Sequence, residues 1–287
     1  MKTGSWVAMV TPFDASGEVD YDCFRKLIRW HEESKTQGIV ICGTTGEVSN
    51  LTEEEQFSLL QVATEEVKGK IPLIMGIGTN STLSSLRRVK IAQEMGADAG
   101  LAIVPYYNRP SFEGCYLHFS QLAKEGLPLI VYHHPGRTGV RFSAEQLCML
   151  CSIPGVIGIK DSSGDLDLMA ELATLSRTLI FSGDDTLTLP MIAVGAVGVI
   201  SVAANVLPSE MNTWVNECVN GNYQEAREHM RAMFPLFKSL ALDSNPQGIK
   251  YALSTLGKCL SAVRMPLIES NQEVKKKISL SLRPFIS

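Results

Sequence analysis

Short runs of β-branched and aliphatic residues recur along the chain, spaced widely enough to leave room for a helix after each. They fall at 6–10, 38–42, 73–77, 99–104, 129–132, 156–160, 179–182 and 197–202. Most are apolar throughout rather than alternating, the pattern of a strand buried on both faces. The segments between them carry apolar residues at i, i+3 and i+4, such as Phe24, Leu27 and Ile28, or Leu147, Leu150 and Cys151, which is the helical period. Thr52 with Glu55 and Ser143 with Gln146 have capping-box spacing and predict helix starts. Strand then helix, eight times over, predicts an α/β fold with a parallel sheet covered by helices. Eight units favour a closed (β/α)8 TIM barrel over an open doubly wound sheet.

After residue 202 the strand pattern stops. Helical periodicity covers 208–220, 223–240, 247–256 and 271–283, interrupted by Gly221-Asn222, by Ser244-Asn245-Pro246 and by Met265-Pro266. The first of these helices can close the barrel. The expected organisation is a catalytic barrel over 1–222 and a C-terminal helical domain over 223–287. With no flexible linker between them, the helices should pack on the barrel or on a partner subunit.

Composition narrows the function classes. Of 287 residues, 45% are hydrophobic and 20% charged, so a large core is available and disorder is excluded. A formal net charge of −4 offers no basic field for nucleic acid, and Lys275-Lys276-Lys277 reads as a solvated helix face. The first residues lack the charged and apolar regions of a secretion signal, and no apolar run is long enough to span a bilayer, so a cytoplasmic protein is expected. Seven cysteines include one CxxC, Cys148 and Cys151. Without a second pair or a histidine at ligand spacing, the two are expected inside a helix, with no metal site.

In a barrel, chemistry collects where strands end. The sixth run ends on Lys160, and an amine at the mouth of a buried strand is pushed towards the neutral nucleophile that forms Schiff bases. The alternative is a lysine that reaches water or pairs with Asp161. The second run ends in Gly43-Thr44-Thr45-Gly46-Glu47, whose N–H groups and hydroxyls suit a small carboxylate, or form a plain turn with a threonine cap. The fourth run ends in Tyr106-Tyr107, and the fifth in Tyr132 followed by His133, His134 and Arg137. A phenol can exchange protons with a carbinolamine, and a guanidinium suits a carboxylate. The two histidines are expected on a loop or the barrel rim. Gly76-Ile77-Gly78 hints at a phosphate-binding barrel, but the loops after the last two runs, with Asp184-Asp185 and Ala203-Ala204, lack a phosphate site's glycines.

Six motifs in order, GTTGE at 43–47, YYNRP at 106–110, Tyr132 with PGRTG at 135–139, GIKD at 158–161, SGDD at 182–185 and GVISV at 198–202, resemble the 4-hydroxy-tetrahydrodipicolinate synthase (dihydrodipicolinate synthase) family. That family belongs to the pyruvate-dependent Schiff-base aldolase, or N-acetylneuraminate lyase, superfamily. The resemblance implies a TIM barrel with a C-terminal helical domain, a homotetramer built as a dimer of dimers, and no cofactor. It implies that Lys160 forms an imine with pyruvate and that Tyr132 exchanges protons through Thr44 with Tyr107 of a neighbouring subunit. Thr45, Gly43 and Ile200 would bind substrate, and Arg137 would hold the carboxylate of aspartate 4-semialdehyde, in lysine and diaminopimelate biosynthesis. N-acetylneuraminate lyases and 2-keto-3-deoxy sugar acid aldolases share the barrel and its lysine, so they remain alternatives, as does a catalytically silent binding barrel. His133 stands where the synthases usually carry asparagine. Glu53, Gln56 and Ser84 stand where lysine-inhibited synthases carry two histidines and a glutamate, which implies weak inhibition by lysine or none.

Overall fold

The structure, a computed structural model, describes residues 2–286. Eight parallel strands, β1 (Gly4–Ala8), β2 (Gly38–Ile41), β3 (Leu73–Gly76), β4 (Ala99–Ile103), β5 (Leu129–His133), β6 (Val156–Asp161), β7 (Leu179–Ser182) and β8 (Gly198–Ser201), pair in sequence order and close into a barrel through β1 and β8. Around them run α1 (Tyr21–Glu33), α2 (Glu53–Val67), α3 (Thr82–Glu94), α4 (Phe112–Ala123), the one-turn α5 (Pro135–Thr138), α6 (Ala144–Cys151), α7 (Leu166–Leu175) and α8 (Thr188–Ala193). Both expected capping boxes form, at the starts of α2 and α6, and Cys148 and Cys151 lie on α6. The closed barrel replaces the open-sheet alternative.

Strand residues sort into two layers. Trp6, Val40, Ile74, Ile130, Phe181 and Ile200 fill the barrel interior, while Val7, Ile39, Ile41, Met75 and Val131 face the helices. The layers follow from the period-two alternation of a strand, with one exception that matters to the site. Between β5 and β6 the register shifts, so that Leu129 pairs with Val156 but Ile130 pairs with Gly158. This bulge adds one residue to β6, and from there Tyr132 lies beside Lys160 and His133 beside Asp161.

The remaining helices are α9 (Pro208–Val219), α10 (Tyr223–Leu240), α11 (Gln247–Thr255) and α12 (Gln272–Leu282). The first packs against β1, and Trp214, fully buried on it, donates from Nε1 to Ala226 O at 2.9 Å. The last three pack on one another, and α10 also touches the short turn Asp185–Leu187 beyond β7. The C-terminal helices thus lie on the barrel, over the ends of its strands.

Candidate active site

The strand ends open into a cavity of about 300 Å³ that receives Thr44 and Thr45 after β2, Tyr132 from β5, His134 and Arg137 beyond it, and Lys160 from β6. The roof comes from the C-terminal segment, with Phe237 and Leu240 from α10 and Asn245 from the break between α10 and α11. A second cavity of about 540 Å³ meets the first at Gly43, Thr44, Tyr132 and Arg137, and extends past Tyr106 and Arg88.

Lys160 is 6% exposed, with Nζ 4.5 Å from the centroid of the Tyr132 ring. Burial disfavours its ammonium, the carboxylates of Asp184 and Asp185 pull the other way, and the Arg137 guanidinium adds a smaller push downward. The pKa falls to about 8. Gly183, just after β7, keeps room for this side chain: an added Cβ would lie 1.9 Å from Ser162 Oγ and 3.0 Å from Lys160 Cε. Burial likewise raises the pKa of the Tyr132 phenol, against the neighbouring hydroxyls of Ser162 and Thr44 and the charge of Arg137. His134 is pushed down to about 4 by burial, with Arg137 and Lys160 adding to the effect, so it faces the cavity as a neutral imidazole near neutral pH.

Two expectations change. His133 is not on a loop or rim: it is the last residue of β5 and is fully buried. It faces outward because Tyr132 faces in, stacks on Phe142, and bonds through Nδ1 to Asp161 Oδ1 at 2.7 Å. Nor does Asp161 serve Lys160. Its other oxygen accepts from the Ser163 N–H and hydroxyl at 3.0 and 2.7 Å, behind the strand.

The remaining expected site residues divide. Gly43, Thr44, Thr45 and Arg137 line the cavity with Tyr132 and Lys160. Ile200 lies fully buried in the barrel interior and is not among the lining residues. Tyr107 lines neither cavity. It sits at φ +72° and is 89% exposed, on a loop where the Asn108 side chain donates to Asn80 O at 2.9 Å. Of the positions tied to lysine inhibition, Glu53 pairs with Arg87 at 3.1 Å. The buried Gln56 amide donates to Leu51 O at 3.0 Å.

Three lining residues escape sequence reasoning. Asp184 and Asp185 carry the same signal as Lys160, a polar group just past an apolar run, but in the sequence their motif speaks against phosphate and for the family without marking either carboxylate as a site residue. Burial and the mutual charge of the pair push Asp184 up to about 6, with Lys160 opposing. Asp185 accepts the backbone N–H groups of Val202 and Ala203 at 3.2 and 2.9 Å, tying the ends of β7 and β8 together. Asn245 comes from a helix break whose place over the barrel mouth no periodicity reveals. Among the described residues, no group of three or more His, Cys, Asp or Glu could hold a metal ion, and no helix is long and apolar enough to cross a membrane.

The site as built is an amine of lowered pKa facing a buried phenol, with a guanidinium and two hydroxyls in reach of one small cavity. Comparison with known proteins adds a family. The model described as the dihydrodipicolinate synthetase family matches residues 1–284. The 4-hydroxy-tetrahydrodipicolinate synthase of Thermodesulfovibrio yellowstonii is 41% identical over 99% of this chain and 98% of that protein. The crystal structure of dihydrodipicolinate synthase from Aquifex aeolicus superposes with a TM-score of 0.96 at 39% identity, covering 99% of this chain and 98% of that one. The chloride-inhibited enzyme from Acinetobacter baumannii, complexed with pyruvate, superposes with a TM-score of 0.96 at 36% identity over the same shares.

Proposed function

The chain belongs to the dihydrodipicolinate synthetase family, and from that premise we propose that it acts as a 4-hydroxy-tetrahydrodipicolinate synthase, joining pyruvate to L-aspartate 4-semialdehyde through an imine on Lys160. The observation that carries this reading is the Lys160 amine, buried beside Tyr132 and held at a pKa of about 8. A neutral amine is the nucleophile, and this value keeps a usable fraction of it near neutral pH.

Lys160 Nζ attacks the ketone carbon of pyruvate. Tyr132 gives and takes the protons that carry the carbinolamine to the imine with loss of one water. Thr44 and Tyr107 of a neighbouring subunit pass those protons outward, while Thr45 with the backbone at Gly43 holds the pyruvate carboxylate. A proton lost from the methyl carbon gives the enamine, whose carbon adds to the semialdehyde's aldehyde. The substrate amine then closes the ring onto the imine carbon and releases Lys160. Arg137 holds the second carboxylate. The positive charge of Arg137 in the cavity supports a dicarboxylate product over a sugar chain, which would meet this wall with hydroxyls.

The exposed Tyr107 supports assembly through that surface, as a homotetramer. With Glu53 paired to Arg87, the Gln56 NH2 group bonded to Leu51 O, and Ser84 offering a hydroxyl in place of a carboxylate, those positions have little to grip the amine of free lysine, so weak or absent feedback inhibition follows. The direct test is an assay with both substrates. Rapid consumption of pyruvate only when the semialdehyde is present is expected. Efficient cleavage of N-acetylneuraminate or a 2-keto-3-deoxy acid, with no use of the semialdehyde, would assign the site to an aldolase instead.

A further inference from the structure

One strongly charged pair lies outside the chemistry described so far. Lys250 on α11 is fully buried, and Nζ donates to Glu47 Oε1 at 2.6 Å and to Ala262 O at 2.7 Å, 3.9 Å from the centroid of the Phe13 ring. Glu47, 1% exposed, takes a left-handed backbone at φ +53°, which a residue with a side chain holds only where its surroundings fix it. Its other oxygen accepts the Arg264 backbone N–H at 3.0 Å. A buried ion pair rarely stabilises a fold more than two packed apolar side chains would, so its use is better sought in the geometry it specifies.

That geometry is the loop holding the site threonines. The Glu47 N–H closes the turn onto Thr44 O at 3.0 Å. The Thr11 hydroxyl donates to Gly46 O at 2.7 Å. Asn245, five residues before Lys250, donates from Nδ2 to Thr45 Oγ1 at 2.9 Å. From Thr44 to Glu47 each residue is held, and three of the holding groups, Asn245, Lys250 and Arg264, come from the C-terminal segment.

We propose that Lys250 and Glu47 are positioning residues, an ion pair by which the C-terminal helices fix the Thr44–Thr45 turn for pyruvate. The inference rests on the reading of that turn as the pyruvate carboxylate site. Neither side chain touches the Lys160 cavity, so the pair acts through the loop.

The test uses the double variant Glu47→Gln with Lys250→Met, because removing one charge alone would strand the other in the core. Borohydride trapping on Lys160 is titrated with pyruvate, alongside steady-state kinetics with both substrates. The expected result is a folded protein needing about ten- to a hundredfold more pyruvate for half-trapping, the scale on which an ångström of misplacement acts. The KM for the second substrate should stay near the parent value. Parental pyruvate dependence in a merely less stable protein would overturn the proposal. So would a double variant that fails to fold, since the pair would then serve the fold and not the loop. A parent protein that traps no pyruvate would instead overturn the imine reading beneath it.

Discussion

Burial works against the Lys160 ammonium, and Asp184 and Asp185 work for it. A lysine pKa lowered to about 8 means that kcat/KM for pyruvate should climb with pH as the neutral amine accumulates, then level off above about 8. The Asp184 carboxylate does more than any other group to favour the charged amine, so Asp184→Asn should lower that pKa further and move the rising limb to lower pH. Initial rates across pH read this directly, and a limb displaced to higher pH would mean that Asp184 does not act on the amine. Arg137→Ala should weaken the semialdehyde far more than pyruvate. A charge-assisted bond contributes roughly 1.5–3 kcal/mol, or about ten- to 150-fold in KM. Equal losses for both substrates would place Arg137 elsewhere in the reaction. Lys160, Tyr132 and Arg137 are legible in the sequence because each stands at or just past an apolar run. His133 is not, for the converse reason: a polar residue after Tyr132 marks the end of the run, while strand pairing carries β5 one residue further and buries the imidazole against Asp161.

Element boundaries follow closely from periodicity: β7 spans the expected residues, α10 spans 223–240 as expected, and the other strands shift at their ends by one or two residues. Orientation within a strand is less legible. Counting by twos from Val156, which packs against the helix layer, would turn Lys160 outward. The extra residue in β6 restores the inward parity that Tyr132 requires. No pattern in 156–161 announces that bulge, because it arises from the match between two strands. Gly158, the first residue after it, passes so close to β7 that an added Cβ would lie 2.8 Å from Leu179 O. Gly158→Ala should therefore force β6 away from β7 and cost about 1–3 kcal/mol of stability, read from urea unfolding. Borohydride trapping on Lys160 should slow as well. An unchanged unfolding midpoint would show that the strands separate there without strain.

At the scale of the whole molecule, the barrel is legible from the count of eight units, and the helices after 222 from their period. Their place over the cavity is not, because packing between distant segments leaves no local pattern. One expected site residue is not brought to the cavity by the single chain. Tyr107 is 89% exposed and lines neither cavity, although its neighbour Tyr106 lines the second, so its proposed part in the proton chain requires a second subunit. Mixing Tyr107→Phe chains with Lys160→Ala chains should restore activity, since one site of a mixed dimer then holds both native groups. Mixtures no more active than their parents would confine Tyr107 to its own chain. All of this depends on the covalent step, and that step is the most direct thing to measure: the protein is reduced with borohydride in the presence of pyruvate, digested, and its peptides mapped by mass. One stable adduct per chain, on Lys160 and absent from Lys160→Ala, is the expected result. An adduct on another lysine, or none at saturating pyruvate, would contradict it.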